Sequence, residues 1–175
     1  TQSDAETIIY AYREWGERCV EHLDGMFAFA LWDRIQQQLF CARDRLGIKP
    51  FYYYCADGEF AFCSELKGLV ANAEIKLSVD YSVLGEFLTA GYVANEQTSI
   101  RATRRLPPGH TLRVKDGKVE LNCYWSIAST ASEKNTLSFE QASEELRHIL
   151  ASTVEDQLVS DVPIGAFLSG GIAVS

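Results

Sequence analysis

Length, composition and charge exclude a disordered chain and make nucleic acid an unfavourable partner. The 175 residues, of which 47% are hydrophobic and 23% charged, suffice for one domain or two small ones with a real core. The formal net charge of −8 has the wrong sign for neutralising a phosphate backbone, so we expect no nucleic-acid partner.

The first part of the chain predicts one helix followed by short strands. Ser3 and Glu6 have the spacing of a capping box, and the apolar residues after them recur at helical spacing. Residues 26–32 are apolar at every position, which predicts a strand covered on both faces. Three more strands are predicted at 38–42, 51–54 and 59–63, and Asp57 with Gly58 makes the turn before the last of them. Four consecutive short strands favour an antiparallel sheet.

The middle of the chain adds helices and a second hairpin. Helices are predicted at 64–70 and 80–88, where they would cover a sheet face. Strands at 111–114 and 119–125 would be joined by a turn at Asp116 and Gly117. Residues 126–136 are polar and without periodicity, which is typical of a linker between domains.

The C-terminal part predicts a helix, a strand and a glycine-rich turn. Ser138 and Gln141 form a second capping box. A strand at 162–168 leads directly into Ser169, Gly170 and Gly171, which is the layout of a phosphate site on an α/β sheet. The same three residues also make ordinary turns, so both interpretations stay open on the residues alone.

Targeting and cysteine usage point to a cytoplasmic protein. No apolar run approaches the roughly 20 residues that cross a bilayer, and no export signal is visible, so we expect no membrane partner. The five cysteines have neither metal nor redox spacing, which favours free thiols in a reducing compartment. Because the sequence opens on Thr1 and stops at Ser175 within an apolar stretch, we expect an internal fragment of a longer protein.

Five segments resemble glutamine-hydrolysing asparagine synthetases. Residues 161–172 (DVPIGAFLSGGI) are similar to the ATP-pyrophosphatase loop of that family, which reads SGGxDS. Four upstream segments resemble successive parts of the same family's class II glutaminase domain: 25–33 (GMFAFALWD), 42–53 (ARDRLGIKPFYY), 64–67 (SELK) and 106–110 (LPPGH).

The resemblance implies a fold and a domain organisation. Residues 1–127 would be an α+β glutaminase domain, lacking its N-terminal part, in the αββα sandwich of antiparallel sheets typical of N-terminal-nucleophile enzymes. Residues 128–137 would be a linker. Residues 138–175 would be the truncated start of a doubly wound α/β synthetase domain.

The resemblance also implies a reaction and its residues. The family frees ammonia from glutamine and adds it to an aspartate adenylated with ATP and Mg²⁺, so the expected partners are glutamine, aspartate and ATP. Asp4 matches the aspartate that holds the ammonium group of glutamine. The ATP-binding residues would be Phe167, Leu168, Ser169, Gly170 and Gly171.

Two features of the family pattern are missing from this sequence. The expected nucleophile is an N-terminal cysteine, which the chain lacks, so we assign no catalytic residue and expect the chain alone to be inactive. Ala173 and Val174 stand where the family has Asp and Ser, through substitution or a short deletion. An alanine offers no oxygen ligand to Mg²⁺, so we assign no metal ligand.

Four charged residues in the matching segments are expected to be structural. Arg43 and Asp44 follow a strand, and we expect them to tie a loop together rather than to catalyse. We expect the same of Lys49 and Glu65.

The function of the parent protein has three alternatives. It is expected to be an asparagine synthetase, a paralogue that amidates another carboxylate, or a degenerate non-catalytic domain. A homodimer is compatible with each of these.

Overall fold

A computed structural model describes residues 3–72, 74–75, 77–130, 136–159 and 162–165. The chain divides into two compact units, Thr1–Ala131 and Ser132–Ser175. The helices of the first unit are α1 (Asp4–Trp15), α2 (Leu66–Val70), α3 (Leu84–Ala90) and α4 (Ile127–Thr130), with short 3-10 helices at Gly16–Glu21 and Tyr81–Val83. Its strands are β1 (Ala28–Asp33), β2 (Gln38–Arg43), β3 (Tyr52–Ala56), β4 (Glu59–Cys63), β5 (Thr103–Arg105), β6 (His110–Lys115) and β7 (Lys118–Cys123). The second unit contains α5 (Phe139–Gln157).

Two antiparallel sheets form the centre of the first unit. The first sheet has the strand order β1-β2-β6-β7, and the second has the order β4-β3-β5. In the first sheet, Cys41 of β2 lies between Ala30 of β1 and Leu112 of β6. The central strands β2 and β3 are therefore covered by neighbours on both edges.

Alternate side chains of the central strands pack into successive apolar layers. Phe40 of β2 packs with Ala11 of α1, whereas Cys41 on the opposite face packs with Tyr53 of β3. Side chains on the far face of the second sheet and on α2 form the remaining cluster, which contains Tyr54, Leu69 and Ile75. This succession of helix, sheet, sheet and helix is the predicted αββα sandwich, and the fold is α+β.

One prediction about the strands is wrong. The four consecutive strands do not form one sheet, because β1 and β2 belong to the first sheet and β3 and β4 to the second. The edge strand β1 is covered on both faces over residues 28–30, where Phe29 packs against the cluster around Phe40 and its two neighbours against the cluster around Cys41, whereas Trp32 is 54% exposed. Local periodicity indicated these strands but carried no information about which strands pair.

Several local signals are confirmed. Ser3 caps α1, since its Oγ accepts a hydrogen bond of 3.3 Å from the amide of Ala5. Ser138 and Gln141 form the predicted capping box at the start of α5. The predicted hairpin turns lie between β3 and β4 and between β6 and β7.

The second unit is described over α5 and residues 162–165. The side chains of α5 are mostly exposed, including Leu146, Ile149 and Val154. Residues 162–165 do not form the start of the predicted strand. The rest of that predicted strand, up to Leu168, lies outside the described residues.

Candidate functional site

The proposed glutamine ligand Asp4 is the first residue of α1. Its side chain is exposed, and the amide groups of the first helical turn lie beside it. The partial positive charge of a helix N-terminus is a favourable environment for an acidic residue at this position. The Asp4 side chain is accessible from solvent.

An open groove of about 1050 Å³ runs beside α1 within the first unit. Ala5 and Ile8 of α1 line one wall, whereas Asp4 is not among the lining residues. Leu31 and Trp32 of the edge strand β1 line the opposite wall. The walls are mainly apolar and suit the body of a small molecule.

A polar cluster closes one end of this groove. Tyr12 donates to Asp33 (Oη to Oδ2, 3.1 Å) and accepts from Gln38 (Nε2 to Oη, 3.2 Å). Gln38 also donates to Glu17, which forms an ion pair of 3.4 Å with Arg113. The cluster fixes the C-terminal half of α1 against the first sheet.

The pKa values of Tyr12 and Asp33 are shifted in opposite directions. Burial raises the pKa of Tyr12, and its hydrogen bond to Asp33 raises that pKa further. The backbone amides of Gln36 and Ile35 lower the pKa of Asp33. Tyr12 is thus a neutral donor and Asp33 an ionised acceptor at neutral pH.

No sequence motif marks this cluster. Its visible signal is Gln38, a buried polar residue at the start of β2 that is followed by four apolar residues. A buried amide requires partners, and those of Gln38 are Tyr12 of α1 and Glu17 of the following 3-10 helix, both distant from it in the sequence.

The Arg43 side chain ties together two loops through backbone carbonyl groups. Its Nε donates to the carbonyl of Lys49 (2.7 Å), Nη2 to that of Gly47 (2.6 Å) and Nη1 to that of Leu106 (2.6 Å). Burial is the main cause that lowers the pKa of Arg43. Through these hydrogen bonds, the guanidinium group holds the loops of the protein together.

Asp44 holds the same loop from the other side. Its Oδ1 accepts from the amides of Leu46 (3.2 Å) and Ile48 (2.9 Å), and its Oδ2 from that of Lys49 (3.0 Å). Only 1% of the Asp44 surface is exposed. The expected structural role of Arg43 and Asp44 is confirmed by these contacts.

Two of the segments that carried the family resemblance meet at this point. The amide of Gly109 donates to the carbonyl of Asp44 (2.9 Å), and Tyr124 Oη donates to that of Arg43 (2.8 Å). Gly47 has φ +66°, and a Cβ there would lie 2.8 Å from Pro108 Cγ. Glycine is thus required at Gly47 by both conformation and space.

Lys49 and Glu65 have no contacts that indicate catalysis. The side chain of Lys49 is exposed, and its backbone belongs to the Arg43 and Asp44 network. Glu65 precedes α2 and forms an exposed ion pair of 2.5 Å with Lys67. Both residues fit the structural role expected of them.

The two most buried cysteines are unreactive. Burial raises the pKa of Cys19 to about 11 and that of Cys41 to about 12. Both thiols therefore stay protonated at neutral pH and are poor nucleophiles. Within the described parts of the chain, no group of three or more His, Cys, Asp or Glu side chains is arranged to hold a metal ion.

The remaining site predictions fall elsewhere. The proposed ATP-binding residues Phe167, Leu168, Ser169, Gly170 and Gly171, together with Ala173, lie outside the described residues. A search of the described helices finds none that is both long and apolar enough to cross a membrane.

Comparison with known proteins agrees with the sandwich fold and with the resemblance. The chain is 41% identical to asparagine synthetase [glutamine-hydrolyzing] 3 of Bacillus subtilis (strain 168), over 97% of this chain and 27% of that protein. It is 31% identical to asparagine synthetase [glutamine-hydrolyzing] 1 of the same organism, over 98% of this chain and 27% of that protein. It is also 32% identical to amidase chry2 of Gibberella zeae, over 97% of this chain and 25% of that protein.

The chain thus spans about a quarter of the length of these curated relatives. Two family models match it in succession. Residues 145–173 match the model described as asparagine synthase. Residues 1–125, most of the chain, match the model described as glutamine amidotransferase domain. The chain therefore belongs to the glutamine amidotransferase domain family.

Proposed function

We propose that this chain is part of a glutamine-dependent asparagine synthetase, in which glutamine hydrolysis supplies ammonia for the amidation of an adenylated aspartate. The observation that carries the proposal is the match of residues 1–125 to the glutamine amidotransferase domain on an αββα sandwich. The match of residues 145–173 to asparagine synthase supports the second half-reaction.

The proposed domains are a glutaminase domain at 1–127, a linker at 128–137 and the start of a synthetase domain at 138–175. The division of the chain into Thr1–Ala131 and Ser132–Ser175 supports a boundary in this region. So does the gap between the two family matches, which end and begin at residues 125 and 145.

Asp4 is the proposed ligand for the ammonium group of glutamine. Its exposure and its place at the start of α1 support this role. An ionised carboxylate pairs with a substrate cation through short, charge-assisted hydrogen bonds. The role is one of binding, since the nucleophile expected in this family is an N-terminal cysteine.

The two most buried cysteines are unfavourable candidates for a nucleophile, because burial raises the pKa values of Cys19 and Cys41. A thiol acts as a nucleophile through its thiolate form, which a raised pKa disfavours.

ATP is the proposed cofactor of the second half-reaction. Ser169 has a hydroxyl group, and Gly170 and Gly171 have no side chain that would keep phosphate oxygens from backbone amides, so these residue types suit a phosphate site. The magnesium ion does not fit in the same way, because Ala173 and Val174 have no side-chain oxygen. No magnesium-dependent step is assigned to these residues.

The test of this proposal separates glutamine binding from amide synthesis in the complete protein that carries these residues. Asp4→Asn should raise the KM for glutamine by roughly 10- to 100-fold, the loss of one charge-assisted contact. Synthesis with free ammonia should be unchanged. Glu14→Gln, an exposed carboxylate on the same helix, is the matched control.

Two results would contradict the proposal. If the complete protein releases no ammonia from glutamine, the proposed amidotransferase function is wrong. If Asp4→Asn and Glu14→Gln leave the glutamine KM equally unaffected, Asp4 is not a glutamine ligand even though the function stands.

A second candidate function is the amidation of a different carboxylate. The observation that favours it is the similarity to amidase chry2, whose name differs from those of the asparagine synthetases. Assaying the complete protein with aspartate and with a panel of other carboxylates distinguishes the two candidates. Aspartate-dependent turnover supports the first, and turnover only with another acceptor supports the second.

We further propose that the protein works in the cytoplasm as a homodimer. The absence of a paired cysteine spacing in the sequence supports a reducing compartment. Sedimentation of the complete protein measures the assembly directly.

A further inference from the structure

A second pocket of the first unit lies away from the groove beside α1. It has a volume of about 440 Å³ and lies between α3 and the strands β3 and β5. This volume is within the range of small-molecule sites, roughly 300–1,000 Å³. Its walls include the side chains of Tyr52, Val83, Leu84, Phe87 and Tyr92.

The walls of this pocket are apolar and accessible at the mouth. Leu84 and Phe87 of α3 are 44% and 50% exposed, and Tyr92 is 63% exposed. Val83 is buried beneath them. The pocket is therefore open to solvent and presents aromatic and aliphatic surface to anything that enters.

Arg105 of β5 brings a positive charge into this apolar pocket. One terminal nitrogen, Nη2, donates to the carbonyl of Val93. The Nε atom is buried and has no hydrogen-bond partner in the part of the chain that the structure describes. No described carboxylate lies within 4.0 Å of the guanidinium group to form an ion pair.

Two charged groups lie near Arg105 without forming an ion pair with it. Burial lowers the pKa of the nearby Arg43 guanidinium, and the charge of Arg105 lowers it further against the opposing effect of Asp44. Asp80 lines the pocket, but its Oδ1 is engaged by the amide (3.0 Å) and the hydroxyl (2.6 Å) of Ser82.

A charged group in apolar surroundings is costly when it has no partner. A carboxylate that enters the pocket would pair with the terminal nitrogens of the Arg105 guanidinium group, since Nε is enclosed by the protein. The planar guanidinium also offers a second donor in the same plane, which suits the two oxygens of a carboxylate. The apolar walls would contact the rest of the molecule.

We propose that this pocket binds a small monocarboxylate with an aromatic or branched aliphatic body, held by Arg105. The proposal goes beyond the amidotransferase function and does not depend on it. It rests on the cavity, its apolar walls and the guanidinium group of Arg105, which lines the cavity and has no ion-pair partner among the described residues.

The test is a binding titration of this chain with three probes: phenylacetate, indole-3-acetate and 4-methylpentanoate. Calorimetry should show saturable binding of at least one of them to a single site. The neutral alcohol 2-phenylethanol should bind more weakly than phenylacetate by roughly 10- to 100-fold, the value of a charge-assisted hydrogen bond.

Matched variants locate the site. Arg105→Gln should weaken carboxylate binding by roughly 10- to 100-fold, and Arg105→Lys should weaken it less because the charge remains. Arg104→Gln removes the same charge from the neighbouring, exposed position on β5 and should leave binding unchanged.

A second variant guards against a simple loss of folding. Leu84→Glu places a negative charge at the mouth of the pocket and leaves the contact between Arg105 and Val93 intact. It should weaken the carboxylates while sparing 2-phenylethanol, and circular dichroism should show a folded protein.

Three outcomes would overturn the proposal. One is that none of the three carboxylates binds saturably. Another is that 2-phenylethanol binds as tightly as phenylacetate. The last is that Arg105→Gln and Arg104→Gln have equal effects in folded protein.

Discussion

Replacing Asp44 by alanine removes the carboxylate that organises the loop between β2 and β3. In the native structure this side chain accepts three backbone hydrogen bonds, from Leu46 (3.2 Å), Ile48 (2.9 Å) and Lys49 (3.0 Å). The carboxylate itself is shielded, since Asp44 is only 1% exposed. Alanine has the space to fit but accepts none of these bonds.

The expected cost follows from how far water can replace the carboxylate. A hydrogen bond to a charged group contributes about 1.5–3 kcal/mol. Leu46 and Ile48 are 63% and 54% exposed, so their freed amides regain part of that energy from water. We therefore expect Asp44→Ala to lower the free energy of unfolding by about 3–5 kcal/mol, less than three full bonds.

Asp44→Asn separates geometry from charge. The amide side chain keeps one oxygen acceptor but presents an NH₂ donor where the carboxylate had its second oxygen. Its cost should be about 1–3 kcal/mol, between those of alanine and the wild type. Asp24→Ala, at a fully exposed carboxylate, is the control and should leave stability unchanged within error.

The assay is urea unfolding followed by tryptophan fluorescence. The three tryptophans, Trp15, Trp32 and Trp125, all lie in the first unit and so report on the unit that contains the loop. Linear extrapolation gives the free energy of unfolding of each variant. A loss below about 1 kcal/mol for Asp44→Ala, or an equal loss for Asp24→Ala, would refute the reasoning.

Substitutions of Gly109 and Tyr124 test the same hydrogen-bond network. Gly109 has φ +64°, and a Cβ there would collide with the carbonyl oxygen of Trp125, so Gly109→Ala should cost about 3 kcal/mol or more in urea unfolding. Gly117→Ala, at φ +71° with no neighbour within 4 Å, should cost only about 1 kcal/mol, and equal costs would contradict the collision. Burial raises the pKa of Tyr124 to about 12, so the unfolded chain loses this proton first and stability should fall as the pH rises from about 10 towards 12. Tyr124→Phe should lessen that fall and, by removing the bond to the Arg43 carbonyl, cost about 1 kcal/mol at neutral pH; an unchanged slope of stability against pH would count against this assignment.

The sequence predicted the elements better than their arrangement. Alternation and turn residues located β2, β3 and β4, because the pleat of a strand and the conformation of a turn are local properties. Besides β1, β2 pairs with β6, which lies far along the chain, and the alternation of neither strand identifies the other as its partner. The division into two sheets therefore could not be read from the periodicity of the four strands.

The candidate site shows the same limit at the level of side chains. Asp4 was found through a family resemblance, and its place at the start of α1 also has a local signal in the Ser3 cap. The cluster around Gln38 and the pocket around Arg105 have no comparable signal. Each consists of residues from separate elements, and only the folded chain brings them together.

The hydrogen bonds around Arg43 and Asp44 show which property of the protein the family resemblance reflects. Two of the segments that carry the resemblance, 42–53 and 106–110, meet in space and contribute hydrogen bonds that hold loops together. A protein that kept this fold but had lost glutamine hydrolysis would need the same bonds and would retain both segments. Their presence therefore argues for the fold more directly than for the reaction. It follows that the Asp4→Asn measurement, with Glu14→Gln as its control, bears on activity in a way that similarity over these two segments does not.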